Sequence, residues 1–205
     1  MRKATRVVAA LFGVFAGFGG PEHGYFEILQ GNVRPAGLMF PSMGPPCDPA
    51  KVWNACEPAV TFAPSLLLAG ILAAVVGLIT MIWAAAFVQR KNGGVVLMLL
   101  CLALLLVGGG VVPPVIGIIA GVVATRIHAP LVGRPGAVSR FLAGLWPWPV
   151  VAFFLWGFGQ FGVGYYFNEF LLQNAFLILL LIVGLLALSI VTGYARDLQD
   201  ASGQT

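Results

Sequence analysis

The stretch of sequence richest in chemically active side chains lies between residues 22 and 34. In an α-helix His23 and Glu27 would share one face, because they are four residues apart. A carboxylate at that spacing could orient the imidazole, or both groups could ligate a metal. A single histidine is a weak metal signal, so we predict neither a metal site nor a catalytic residue here. The segment is instead a candidate polar site made of Glu22, His23, Glu27, Gln30 and Arg34.

The depth of this segment in a membrane decides how that candidate site is interpreted. Ionisable side chains are costly at membrane depth, so buried ones indicate function by default. If the segment lies at the wet interface instead, the same side chains are merely solvated. Gly24 weakens helix continuity between the two groups. The sequence leaves both alternatives open.

A second candidate site is a break in the apolar segment Val95–Arg126. The break consists of Gly108, Gly109, Gly110, Pro113 and Pro114. Non-helical backbone at membrane depth persists only where protein buries it or where it lines a cavity, and such breaks can bind ions or substrates. The alternative is a simple surface turn between two helices that both cross the membrane.

The third feature is a pair of cysteines, Cys47 and Cys56, in a proline-rich loop. Paired cysteines outside the cytoplasm usually oxidise, so we predict a structural disulfide between them. A redox-active pair or metal ligands are the alternatives, although neither a C-x-x-C nor a zinc spacing is present. Cys101 lies in an apolar segment and is expected to be a small core residue.

The amino-acid composition predicts which kind of structural element positions these residues. The 205 residues are 60% hydrophobic and 9% charged, whereas soluble domains carry about 25% charged residues. Because a crossing helix needs ~20 mostly apolar residues, the chain is predicted to be an integral membrane protein. The net charge of +4 reflects basic residues beside apolar spans, so no nucleic-acid partner is expected.

We predict an all-α fold forming a single polytopic membrane domain over residues 1–205, with four transmembrane helices. A central helical hairpin, broken by glycine and proline, would raise the count to six spans if both arms cross. The first helix is expected to continue past Pro21 toward Leu29. The four spans are assigned to residues 7–29, 64–88, 141–164 and 171–192. The long proline-rich outer loop covers residues 31–61, a short outer turn covers 168–170, and a polar tail covers 195–205.

Basic residues predict the orientation. If the central segment is a hairpin whose two ends lie on the same side of the membrane, nine basic residues lie inside and two, Arg34 and Lys51, lie outside. If the segment crosses once, five basic residues lie inside and six lie outside. The positive-inside rule favours the return. The chain is therefore predicted to lie in the plasma or inner membrane, with both termini cytoplasmic and the Cys47/Cys56 loop outside.

Three functions remain open at this stage. The first is a non-enzymatic subunit or scaffold that packs with itself or with other membrane proteins, in contact with membrane lipids. It is favoured by nearly uncharged spans and by small-xxx-small spacings at Gly13/Gly17 and Gly117/Gly121. The alternatives are a small permease or channel that uses the helix break and Glu22–Arg34, and a membrane-embedded enzyme that acts at the outer face through His23, Glu27 and Glu169. Nucleotide, hydrolase and zinc-protease motifs are absent, so no cofactor is predicted and an enzyme is the less favoured class.

Overall fold

The computed structural model of the protein describes residues 1–43, 53–54, 56–133 and 135–203. Within these ranges the chain forms seven helices and two short strands. The elements are α1 (Lys3–Gln30), β1 (Met39–Pro41), β2 (Pro58–Val60), α2 (Leu66–Ala86), α3 (Gly93–Leu106), α4 (Val112–Ala124), α5 (Ala137–Gly144), α6 (Trp148–Gln173) and α7 (Ala175–Ala201).

Four helices, α1, α2, α6 and α7, are long and apolar enough to cross a membrane. This confirms the predicted all-helical class and the presence of four helices long and apolar enough to cross a membrane. The first helix does continue through Pro21, as expected. The chain divides into two compact units, one of residues 1–8, 49–53 and 126–205 and one of residues 9–48 and 54–125. The prediction of a single domain stays a prediction.

Close helix approach in the second unit depends on small residues. Gly17, Gly20 and Gly24 of α1 lie against the backbone of α2, where the facing residues are Gly70, Ala73 and Gly77. A Cβ added to Gly17 would lie 2.7 Å from the carbonyl oxygen of Gly77. Larger side chains would therefore separate the two helices, and the small spacing noted at Gly13/Gly17 serves packing within the chain.

The central segment is an antiparallel pair of helices. Gly94, near the start of α3, lies against Gly121 near the end of α4, and Cys101 lies against Gly117. Cys101 is fully buried, as expected. With 14 and 13 residues, each arm is about 20 Å long, shorter than the ~30 Å hydrocarbon core.

The helix break is shorter than predicted. Residues 107–111 connect the arms, whereas Pro113 and Pro114 lie in the first turn of α4. The assignment of these two prolines to the break was wrong. N–H groups in the first turn of a helix have no acceptor within the helix, so proline, which lacks this group, is well tolerated at the start of α4.

The outer loop contains more regular structure than its proline content suggests. β1 and β2 pair antiparallel, with Phe40 opposite Ala59. Phe40, Ala59 and Leu66 form a small buried cluster beneath the pair. Pro41 ends β1 and Pro58 begins β2, and at these strand ends a missing donor costs little.

The first unit contains α5, α6 and α7. The predicted span 141–164 was placed too early, since the long helix α6 begins at Trp148 and residues 141–144 belong to the separate helix α5. Residues 168–170, predicted as an outer turn, lie inside α6, which continues to Gln173 and has a non-helical residue at Phe167. The predicted polar tail is also helical as far as Ala201.

A carboxylate near the C-terminal end of α7 caps the N-terminal end of α1. The Asp197 carboxylate accepts hydrogen bonds from the backbone N–H groups of Ala4 and Thr5, both at 2.8 Å, and from the Thr5 hydroxyl at 2.6 Å. Asp197 is 4% exposed. The first turn of α1 thus receives a helix cap from a residue far along the chain.

Candidate functional site

The two candidate sites predicted from sequence meet in the second unit. Gly19, His23 and Glu27, spaced by four residues along α1, all face the α3–α4 connection. Gly19 lies against Pro113, His23 against Gly110 and Glu27 against Gly108. The polar segment and the helix break therefore form one site, which we call the α1 polar site (Glu22, His23, Glu27, Ser42, Glu57 and Gly108–Gly110).

Glu27 is fully buried. Its Oε1 atom accepts a hydrogen bond of 3.1 Å from the Ser42 hydroxyl. Its Oε2 atom has no hydrogen-bond partner among the described residues. A carboxyl oxygen buried without a partner carries a desolvation cost of about 1–3 kcal/mol or more.

The backbone of the connection is shaped to this carboxyl group. Gly108 has φ +109°, and a Cβ there would lie 2.8 Å from Glu27 Oε1 and nearer still to Oε2. Gly110 has φ +76°, and a Cβ there would lie 2.7 Å from Cε1 of the His23 ring. Glycine is required at both positions by conformation and by space.

His23 is also fully buried. Its Nε2 atom lies 3.3 Å from Oε2 of Glu57, whose side chain is 29% exposed. The pair lies within ion-pair distance but lacks hydrogen-bond geometry, and Nδ1 has no hydrogen-bond partner in the part of the chain that the structure describes. Glu57 connects this buried ring to the partly exposed surface of the outer loop.

Ser42 joins α1 to the outer loop. Its carbonyl oxygen accepts a hydrogen bond of 2.7 Å from Gln30 Nε2, and its N–H donates to the Glu57 carbonyl at 3.0 Å. Ser42 is itself fully buried. Ser42 therefore links Gln30, Glu27 and the segment that carries Glu57.

The loop is also tied to the helix break. Thr61 and Val107 form an isolated antiparallel bridge, and the Phe62 N–H donates to the Leu106 carbonyl at 3.3 Å. Leu106 ends α3, so this bond satisfies one of the free carbonyl groups of a helix terminus. The loop is thus hydrogen-bonded both to α1, through Ser42, and to the end of α3, through Phe62.

The remaining predicted residues divide between the site and the surface. Glu22 is half-buried and interacts electrostatically with His23 and Glu57. Arg34 is exposed and has no described contact with the cluster. Ser42 and Glu57 were missed, because a single serine and a single glutamate in a proline-rich loop produce no periodic signal in the sequence.

The arrangement offers proton-binding and cation-attracting groups. The α1 polar site contains one imidazole and three carboxyl groups, and the Ser42 hydroxyl donates to one of the carboxyls, that of Glu27. No group of three or more His, Cys, Asp or Glu side chains within the described ranges is arranged to hold a metal ion. The chemistry available is therefore exchange of protons and binding of small polar or cationic groups.

The predicted disulfide involves a residue that the structure does not describe. Cys47 lies outside the described residues, and no two described cysteines lie at disulfide distance. Pairing of Cys47 with Cys56 stays a prediction. Lys51 likewise lies outside the described residues.

Comparisons with models of known protein families, with curated proteins and with solved structures gave no match for this chain.

Proposed function

We propose that the chain is a non-enzymatic multi-pass membrane protein that acts as a subunit or scaffold, and that its docked outer loop contacts other copies or other membrane proteins. The observation that carries this proposal is the direction of the polar contacts. Gln30, Glu27 and His23 all contact the outer loop, through Ser42 and Glu57. The polar groups of α1 thus hold a surface in a fixed position.

The described part of the loop exposes apolar side chains. Val33 is 56% exposed, Leu38 54% and Met39 63%, and Phe62, directly after the loop, is 71% exposed. Loops that face only water seldom present several large apolar residues together, and patches of this kind mark contacts with partners or membranes. The loop is therefore the proposed recognition surface.

The proposed orientation places both termini on the cytoplasmic side of the cell membrane and the Cys47/Cys56 loop outside. The positive-inside distribution of the basic residues supports it. The bridge between Thr61 and Val107 supports a hairpin that turns on the outer side, since Val107, directly after α3, lies beside the outer loop. On this proposal α3 begins and α4 ends on the cytoplasmic side.

Photo-crosslinking in native membranes tests the recognition surface. A photoreactive amino acid at Met39 or Phe62 is expected to give a discrete product, at twice the monomer mass for a homo-oligomer or at another defined mass for a hetero-complex. The matched control is Val132, which is 76% exposed and apolar but lies in the loop after α4. Equal crosslinking from all three positions, or none from Met39 and Phe62, would contradict the proposal.

Ser42→Ala sharpens this test. The substitution removes the hydroxyl that binds Glu27 and should loosen the loop, so crosslinking from Met39 should fall while the protein stays folded. Unchanged crosslinking would mean that the recognition surface does not depend on the α1 polar site.

A small permease or channel is a second candidate function, and one observation favours it. Among the described residues, His23 Nδ1 and Glu27 Oε2 have no hydrogen-bond partner and lie buried beside the helix break, and ionisable groups left unpaired at membrane depth are expensive unless they function. Proton flux into proteoliposomes tests it. Glu27→Gln should abolish flux in a permease, and the absence of flux from the wild-type protein would exclude proton conduction.

The enzyme alternative receives less support. Ser42 donates to Glu27, and no described bond joins it to His23, so no hydroxyl is placed for activation by the imidazole. Glu169, a further candidate for such a site, is exposed and accepts a hydrogen bond from Gln173 of its own helix.

A further inference from the structure

The second notable site lies in the first unit, where α1 begins and α7 ends. A cavity of about 680 Å³ opens there. Its polar walls include Arg2, Lys3, His128, Arg196, Asp197 and Asp200. None of these residues belongs to the α1 polar site, so the cavity is an independent feature.

Arg2 forms a rigid wall of this cavity. Its Nε donates to the Ala129 carbonyl at 3.1 Å, and a terminal guanidinium nitrogen donates to the Pro130 carbonyl at 2.7 Å. The guanidinium also lies over the Tyr194 ring, 5.1 Å from its centroid. Arg2 is only 9% exposed, so a positive charge is held in place at the cavity wall.

The charges around the cavity are not balanced. Of the two carboxylates, Asp197 is occupied by the first turn of α1. Asp200 pairs with Arg196 at 3.0 Å. Among the described residues no carboxylate forms an ion pair with Arg2 or Lys3, so these two cations leave the cavity electropositive.

We propose that this cavity binds the phosphate group of an anionic lipid headgroup. α1 and α7 are both long and apolar enough to cross a membrane, so the cavity lies at helix ends, where headgroups are found. Basic pockets at such positions suit phosphate-bearing headgroups. Leu188 and Val191 are exposed on α7, within about 12 Å of Arg196 along the helix axis, and provide an apolar surface for acyl chains.

Native mass spectrometry of the full-length protein tests this proposal. The protein is purified from vesicles of phosphatidylglycerol in phosphatidylcholine, and the retained lipid is measured. Lys3→Gln should lower phosphatidylglycerol retention about fivefold, because one basic residue near a charged membrane surface contributes about 1 kcal/mol. Arg196→Gln should lower it further, since it also leaves Asp200 unpaired beside the bound anion.

Lys91→Gln is the matched control. Lys91 is exposed in the turn between α2 and α3 and does not line the cavity. Its substitution removes the same charge and should leave retention unchanged. An equal loss in Lys91→Gln and Lys3→Gln would show that only overall charge matters and would overturn the proposal.

Two further measurements keep the test independent of folding defects and of the source of the phosphate. Asp200→Asn removes a carboxylate and frees Arg196, so it should increase retention; a decrease would overturn the proposal. Excess inorganic phosphate should not displace phosphatidylglycerol. Complete displacement would assign the cavity to free phosphate rather than to a lipid.

Discussion

Two regions of this molecule bury a carboxyl group on the packed surface of a long helix, and they do so in different ways. Asp197 accepts three hydrogen bonds from residues 4 and 5. Glu27 accepts one, from Ser42, and its second oxygen has no partner within the described ranges. The first group behaves as a helix cap, whereas the second leaves binding capacity unused, which marks it as the functional candidate.

The largest expected effect is the loss of stability when the capping carboxylate, Asp197, is removed. Asp197→Ala removes the cap of α1 and should lower the free energy of unfolding by about 2–3 kcal/mol, or the melting temperature by about 5–10 °C. Thermal unfolding in detergent measures it. Asp200→Ala, three residues further along α7, removes only a partly exposed i,i+4 pair and should cost about 0.5 kcal/mol or less. Similar losses in both variants would argue against the capping role.

The next effect tests how tightly the helix break fits Glu27. Gly108→Ala adds a Cβ at φ +109° that collides with the Glu27 carboxyl, whereas Gly133→Ala adds one at φ +110° in open space. Backbone strain should cost about 1–3 kcal/mol in both variants, and Gly108→Ala should cost roughly 2 kcal/mol more. Melting temperatures measure the difference.

A double variant completes this second test. Glu27→Ala removes the obstructing carboxyl, so Gly108→Ala in that background should cost no more than Gly133→Ala. Persistence of the extra loss would mean that another neighbour, rather than Glu27, fixes the conformation of the break.

The smallest effect is a difference between two isosteric changes. Asp197→Asn replaces an acceptor oxygen with a donor that faces N–H groups, so it should cost about 1–2 kcal/mol. Glu27→Gln keeps an oxygen for Ser42 and should change stability by less than about 1 kcal/mol. Equal losses, measured under the same conditions, would identify Glu27 as a structural group and weaken the candidate site.

The sequence predicted local properties well. The four long spans follow from runs of apolar residues, because a bilayer requires a minimum length of apolar helix whatever the neighbours are. Helix continuity past Pro21 and the burial of Cys101 were also predicted. The predicted bounds of α6 were wrong. The helix begins at Trp148, directly after Pro147, and it continues to Gln173 through residues 168–170, which are polar enough to suggest a turn.

The composition of the α1 polar site is partly a local property and partly a product of long-range contacts. The spacing of His23 and Glu27 identified them as one face. Their meeting with Gly108 and Gly110 depends on how α1 packs against the α3–α4 pair, which no single segment encodes. Ser42 and Glu57 reach the site only because β1 and β2 pair and bring two distant parts of the loop together.

The sequence by itself determined that this is a helical chain with membrane-length apolar spans, because hydropathy and helical rise act residue by residue. Only the tertiary structure decided which carboxyl groups are satisfied. Asp197, expected in a polar tail, is buried as a cap, and Glu27, whose depth was open, is buried with one oxygen that has no hydrogen-bond partner in the described part of the chain. Hydrogen-bond satisfaction depends on groups from several distant segments at once, so it exists only in the folded chain.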